Sequence, residues 1–364
     1  MPIKLLLTGG CGFIGSAVVR HLLRGSDHVV VNVDKLTYAA SEQALEEARG
    51  HPRHVLVRAD VADPTAMNQV FATHQPDAVM HLAAESHVDR SIDGPAEFVR
   101  TNIIGTFTLL EVARAYHGGL TGARRDGFRF HHVSTDEVFG ALGPGDAAFT
   151  ESTPYDPRSP YSASKAGSDH LVRAWFHTYG LPTIVSNTCN NYGPWQFPEK
   201  LIPLVILNAH DGRDLPVYGD GSHRRDWLQV EDHAEALVRV LERGAPGATY
   251  TIGARQPRSN LEVVRTICAC LDRRIPDPAG PRDRLIRFVP DRPGHDFRYE
   301  VDPTRTETEL GWTARHDFET GLERTVDWYL ANRPWWEAVR ASRYAGQRLG
   351  QSPVMPRLVP ANGE

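Results

Sequence analysis

Thr8-Gly9-Gly10-Cys11-Gly12-Phe13-Ile14-Gly15 follows an apolar run, Ile3–Thr8, and opens a helix-patterned one, Gly15–Leu23. Glycines at 9, 12 and 15 have the spacing of a dinucleotide-binding turn. Gly9 permits the tight turn, Gly12 lets the backbone approach a pyrophosphate, and Gly15 lets the helix pack closely on the strand. The helix N-terminus then offers free N–H groups and a positive dipole end. A glycine-rich turn without a ligand has the same spacing. The context argues for a nucleotide: strand before, helix after, and an acid, Asp34, closing the second strand-like run. A carboxylate there accepts hydrogen bonds from a ribose diol and repels a 2′-phosphate, which favours NAD over NADP. Lys35 flanks it. Asp60, ending the third strand-like run, is placed either to meet the adenine or to cap the helix before Pro64.

Working outward, further strand-like runs are Val29–Val33, Val55–Arg58, Ala78–Leu82, Phe130–Ser134 and Thr183–Ser186. Helix-length segments, Thr65–His74 and Pro95–Tyr116 among them, lie between. This alternation predicts an α/β fold, a doubly wound Rossmann-type parallel sheet with right-handed crossovers, joined by a smaller C-terminal substrate-binding lobe. After Asn190 prolines and glycines become dense. A helix, Glu231–Arg243, and a strand, Ala248–Ile252, are expected to return to the sheet. The predicted division is therefore an NAD-binding domain over 1–190 with about 228–253 returning to it, a lobe mostly within 191–332, and a loosely ordered tail over 341–364. Gly118–Gly127 reads as a surface loop.

Composition excludes several classes. Among 364 residues, 40 are Lys or Arg and 45 Asp or Glu, a net charge of −5. Such a balance disfavours nucleic acid as a partner. No apolar run approaches the roughly 20 residues that span a bilayer. The N-terminal apolar stretch is shorter than a signal-peptide core. Four scattered cysteines lack zinc-pair spacing, so the expectation is a cytoplasmic, metal-free protein. Lysine occurs only at 4, 35, 165 and 200.

Tyr161-Ser162-Ala163-Ser164-Lys165 places tyrosine and lysine four apart, on one helical face. A nearby ammonium is expected to stabilise the phenolate, which then takes a proton from a sugar hydroxyl as hydride leaves. Upstream, Ser134-Thr135-Asp136-Glu137 sits at the C-terminal end of a strand, where ligands of open α/β sheets bind. Two adjacent acids there suggest acid/base work; a solvated, helix-capping turn is the plainer alternative.

Together these motifs resemble the extended short-chain dehydrogenase/reductase family. Within it, Thr135-Asp136-Glu137, Asn190-Asn191-Tyr192-Gly193-Pro194, Phe197–Pro203, Arg225-Asp226-Trp227 and Asp291–Asp296 are similar to the dTDP-glucose 4,6-dehydratases. The resemblance covers about residues 3–332. It implies an NAD site built from Gly9, Gly12, Phe13, Ile14 and Gly15. Asp34, Lys35, Thr37, Asp60 and Val61 belong to the same site, as do Leu82, Ala83, Ala84, Ser86 and Thr101, with Tyr161, Lys165 and Asn190 at the nicotinamide end. The nucleotide sugar is implied to meet Ser86, His87, Thr135, Asn191, Lys200 and Leu201. Pro216, Tyr218, Arg225, Asn260, Asp291, Arg292 and His295 complete its implied contacts.

The implied reaction has three stages. Tyr161 deprotonates the C4 hydroxyl, assisted by Thr135 and Lys165, while C4 gives hydride to NAD. Glu137 then removes the C5 proton and Asp136 protonates the departing C6 hydroxyl. Hydride returns to C6. Asp136 must hold a proton at neutral pH, which burial and an adjacent carboxylate favour. Open alternatives are a UDP-glucose or other nucleotide-sugar 4,6-dehydratase, a 4-epimerase, and a non-catalytic NAD-binding sensor. By the same resemblance the protein is a homodimer, paired through helices near 95–116 and 161–179.

Overall fold

A computed structural model describes residues 2–291, 294–344, 346 and 349. Seven parallel strands form the main sheet in the order β10-β6-β5-β4-β1-β2-β3. They are β1 (Lys4–Thr8), β2 (Val29–Asp34), β3 (His54–Arg58), β4 (Ala78–His81), β5 (Arg129–Thr135), β6 (Thr183–Thr188) and β10 (Thr249–Ile252). Strands buried on both faces read as continuous apolar runs; Leu5, Leu6 and Leu7 of β1 are fully buried. One face is covered by helices Phe13–Gly25 and Val230–Arg243, the other by Pro64–His74, Gly105–Gly119 and Pro160–Tyr179. The order reverses between β1 and β4, so a crevice opens beyond their carboxyl ends.

The rest of the chain surrounds a separate apolar cluster that includes Tyr192, Ile206, Trp227, Ile267 and Phe318. Its strands are short: β7 (Asn190–Tyr192), β8 (Leu215–Tyr218), β9 (Arg224–Gln229), β11 (Pro257–Ser259), β12 (Ile286–Val289) and β13 (Arg298–Tyr299). β7, β11 and β13 pair with β9, and β12 pairs with β8. Helix Val230–Arg243 and β10 rejoin the main sheet, so the chain crosses between the two regions more than once.

Two expectations need correction. Gly118–Gly127 is not a loop: the preceding helix runs to Gly119 and a second one spans Gly122–Gly127. Arg124 anchors that turn through Asp77 Oδ1 at 3.2 Å and the Gln75 carbonyl at 2.9 Å. The tail assigned to 341–364 begins inside helix Arg333–Ser342, and most of it lies outside the described residues. Among the described residues no helix is long and apolar enough to cross a membrane.

Candidate active site

One cleft at the strand-order reversal gathers every residue expected on the cofactor side, from Gly9 through Asp34, Asp60 and Leu82–Ala84 to Asn190. The glycines are forced by close approach. Gly9 has φ +75°, and a Cβ there would sit 2.8 Å from Ala83 N; a Cβ on Gly15 would sit 2.2 Å from Gly9 O. The helix beginning at Phe13 has no side-chain cap and no acid in its first turn. Its first N–H groups therefore suit an anion, which fits the pyrophosphate of NAD.

Asp34 accepts from Cys11 N at 2.9 Å and Leu36 N at 2.8 Å. Burial raises its pKa against those bonds, which fix the carboxylate in the wall of the cleft. Lys35 pairs with Asp60 at 3.3 Å, and Asp60 also accepts from Ala62 N. The helix starting at Pro64 is capped by Asp63, not Asp60, which corrects one of the two roles open to Asp60.

Thr135 ends β5, and Asp136–Phe139 form a single 3₁₀ turn capped by the Thr135 side chain. Thr135 Oγ1 accepts from Glu137 N and donates to Asp136 Oδ1, each at 3.3 Å. Asp136 is 1% exposed, so this is no solvated turn. Burial and the Glu137 carboxylate hold its pKa well above the usual range, with Arg225 opposing. The shift favours the protonated carboxyl of Asp136.

Tyr161 and Lys165 share one face of helix Pro160–Tyr179, whose start is fixed by a capping box between Ser159 and Ser162. Lys165 Nζ donates to Val133 O at 2.9 Å and lies 3.4 Å from His132 Nε2. Burial lowers its pKa to about 8, with Asp169 acting in the opposite direction. The expectation that Lys165 lowers the Tyr161 pKa is not met by the chain alone. Burial and Glu137 raise the phenol, with Thr135 opposing them. Lys165 instead spends its ammonium on β5.

Sequence reasoning missed the support behind this pair. Asp169 is fully buried, lies 3.1 Å from His132 Nε2, and accepts from Ser134 Oγ, Tyr155 OH and Asn187 Nδ2. Its position four residues after Lys165, on the same face, was the available signal. Asn102 was also missed. A π-helical turn, Val99–Ile104, buries it, and it binds Glu85 through both backbone groups and Ser164 Oγ at 2.8 Å. π turns often mark functional sites. Glu199 is the third omission: it accepts from Arg90 Nε at 2.7 Å and Tyr38 OH at 3.0 Å, so it ties the lobe to the main sheet's loops.

On the substrate side, Ser86, Thr135, Asn191 and Lys200 line the same cleft. Lys200 Nζ donates to the Ser86 carbonyl at 2.7 Å. His87, Leu201, Pro216, Tyr218, Arg225, Asn260, Asp291 and His295 do not line it. His87 Nε2 lies 3.3 Å from the Glu199 carbonyl. Leu201 opens helix Leu201–His210, and Pro216 lies in β8. Tyr218, Asn260, Asp291 and His295 gather around His223. The His295 ring stacks on His223 at 3.7 Å, Asp291 bonds both rings, Tyr218 lies edge-on to His295, and Asn260 N donates to the His223 carbonyl. Arg225 is buried, donates to the carbonyls of Arg224, Asp296 and Phe297, and lies over Tyr299 at 4.2 Å. Arg292 lies outside the described residues.

Residues 6–325 match the family model for GDP-mannose 4,6-dehydratase. A dTDP-glucose 4,6-dehydratase of Neisseria meningitidis serogroup B is 58% identical over 95% of this chain and 99% of its own. One from Escherichia coli is 56% identical over 96% of this chain and 99% of its own. The crystal structure of the dTDP-glucose 4,6-dehydratase DesIV of Streptomyces venezuelae, solved with NAD bound, is 42% identical over 92% of this chain and 99% of that one, with a TM-score of 0.84.

Proposed function

Because the chain belongs to the GDP-mannose 4,6-dehydratase family, we propose that it is an NAD-dependent hydro-lyase that converts dTDP-glucose to dTDP-4-keto-6-deoxyglucose. The observation that carries this reading is the buried Asp136, its pKa raised by burial and by the adjacent Glu137, in the cleft that also holds Tyr161 and Lys165. Oxidation and re-reduction at C4 alone, as in epimerisation, need no second acid and base. Loss of water across C5–C6 needs both.

Gly9, Gly12 and Gly15 cradle the cofactor's pyrophosphate and Asp34 holds a ribose. Bound NAD takes up the C4 hydride and later returns it to C6. Tyr161 accepts the C4 hydroxyl proton, with Thr135 bonded to the same oxygen. The ketone acidifies C5, whose proton Glu137 removes and afterwards restores. Asp136 gives its proton to the C6 hydroxyl, which leaves as water. Lys165 orients the ribose. Ser86, Asn191 and Lys200 meet the sugar nucleotide from the same cleft, and the cluster around His223 together with Arg225 forms the outer part of its site.

The division into a cofactor domain (1–190 with about 228–253) and a substrate lobe (191–332) belongs to the same proposal, as does a cytoplasmic location. So does a homodimer. Val99, Ile104, Phe107 and Tyr179 are large apolar side chains left exposed on helices flanking the cleft, and Phe107 packs edge-on to Trp175. The deciding experiment is incubation with dTDP-glucose and UDP-glucose separately, reading product mass. Loss of one water from the thymidine substrate at the higher rate supports the proposal; unchanged mass with an inverted C4 centre overturns it.

A further inference from the structure

The proposed cycle returns its hydride to the cofactor that took it, so NAD need not leave between turnovers. The loop after β2 bears on how it stays. Thr37, Ala39 and Ala40 follow Asp34 and line the cleft with it. Ser41 N donates to the Cys11 carbonyl at 2.7 Å, so the loop rests directly on the glycine turn. Leu36, where the loop begins, has φ +59°. A residue other than glycine holds that left-handed conformation only where its surroundings impose it.

Helix Arg333–Ser342 reaches this loop from the lobe. Its Trp335 Nε1 donates to Ser41 Oγ at 3.1 Å. Arg343, just past its end, donates to the carbonyls of Ala40 at 2.6 Å and Tyr38 at 3.3 Å. The opposite anchor lies in the lobe. Trp336 Nε1 donates to the Tyr329 carbonyl at 2.8 Å, Arg340 pairs with Asp211 at 2.7 Å, and the buried Trp335 ring lies edge-on to Trp195 and Trp328. Resting on the reading of the cleft as an NAD site, we propose that Trp335 and Arg343 are positioning residues for the cofactor. They clamp loop 36–43 against the glycine turn, and their letting go sets the rate at which NAD leaves. Each bond made only with the loop in place lowers the share of time it stands open. Tyr38 is held independently by Glu199 and Phe197, so cutting the clamp loosens the loop and does not unfold it.

Release of radiolabelled NAD from the full-length protein, during a chase with unlabelled NAD, tests this. Trp335→Phe keeps the ring packing and removes the bond to Ser41. Arg343→Met removes both bonds to the loop carbonyls. Each is expected to release NAD about 2- to 10-fold faster, the scale of one net hydrogen bond. Ser41→Ala should match Trp335→Phe, and the two combined should be no faster than either alone, because both remove the same bond. Glu337 is exposed on the same helix and accepts from Arg333, so Glu337→Gln should release NAD at the native rate. A native rate in folded Trp335→Phe or Arg343→Met overturns the proposal. So does equal acceleration in Glu337→Gln, which would mean general loosening of the helix, or multiplied effects in the Trp335→Phe, Ser41→Ala pair. Melting temperatures establish folding, and Arg343→Met, at an exposed position, carries the test should the tryptophan variant not fold. A native protein that binds no NAD would instead refute the cofactor reading, so the two failures are distinguishable.

Discussion

Replacing Asp169 by asparagine keeps the volume and removes the charge behind Lys165. The consequence follows from distances. Lys165 Nζ is 3.4 Å from His132 Nε2, which is 3.1 Å from Asp169 Oδ1. Laid end to end, these legs place the two charges within 6.5 Å of each other. At an effective dielectric near 20, that separation gives about 2.5 kcal/mol, close to two pKa units. Burial has already lowered Lys165 to about 8, and Asp169 is what opposes it. The variant lysine should therefore lose its proton near pH 6. Below the lysine pKa the ammonium is present and the ribose is held; above it that hold is lost. The alkaline limb of the kcat/KM profile, which reports free-enzyme groups, should move from near 8 toward about 6. Hydrogen bonds from Ser134 and Tyr155 can still reach the amide oxygen, and the variant should fold with a stability loss of about 1.5–3 kcal/mol. An alkaline limb that stays near 8 in a folded, NAD-loaded Asp169→Asn would refute the claim that this carboxylate keeps Lys165 charged.

Three further outcomes follow. Asp136→Asn should still form reduced cofactor on adding substrate, seen by absorbance, yet make product 10²–10⁴-fold more slowly; near-native product formation would remove Asp136 from the acid role. Gly15→Ala should purify without NAD and melt lower. Its Cβ meets Gly9 O at 2.2 Å and Gly10 Cα at 2.8 Å, and such overpacking costs about 1–3 kcal/mol; full cofactor occupancy would contradict the close-approach argument. Phe107→Asp should sediment as a monomer with the fold retained. A dimer that survives the charge would place the interface elsewhere.

Periodicity found the main sheet because buried parallel strands are apolar without interruption, and the glycine turn oriented the first crossover. It had no way to find the π turn. Pro95–Tyr116 reads as one helix, and one residue of slip in the hydrogen-bond ladder leaves the apolar pattern nearly intact. Yet that slip buries Asn102 between Glu85 and Ser164, joining the loop after β4 to helix Pro160–Tyr179. The Gly118–Gly127 stretch failed for the opposite reason. Glycines at both ends signal a loop, while its helical turn depends on Arg124 reaching Asp77, Gln75 and Tyr116. The contacts to Asp77 and Gln75 are far apart in sequence.

The motif residues were legible, but their protonation was not, because it depends on the donors around them. Asp136, Asp34 and Asp169 are all buried aspartates in or behind one cleft. Burial raises each of them. Asp136 accepts one weak bond from Thr135 and faces Glu137, so the rise prevails. Asp34 accepts two backbone N–H groups and remains raised. Around Asp169, burial is overcome by His132, Lys165 and Ser134, and its pKa falls below the usual carboxylate value. The same residue type thus holds a proton more readily at Asp136 and Asp34 and less readily at Asp169. Tyr161 shows the complementary case. Its lysine lies four residues on, as the motif requires, but the ammonium is turned to Val133 and the phenol stays protonated in the chain alone. Spacing on a helix fixes which side chains share a face; which of them shares a proton is decided by the strand packed beneath.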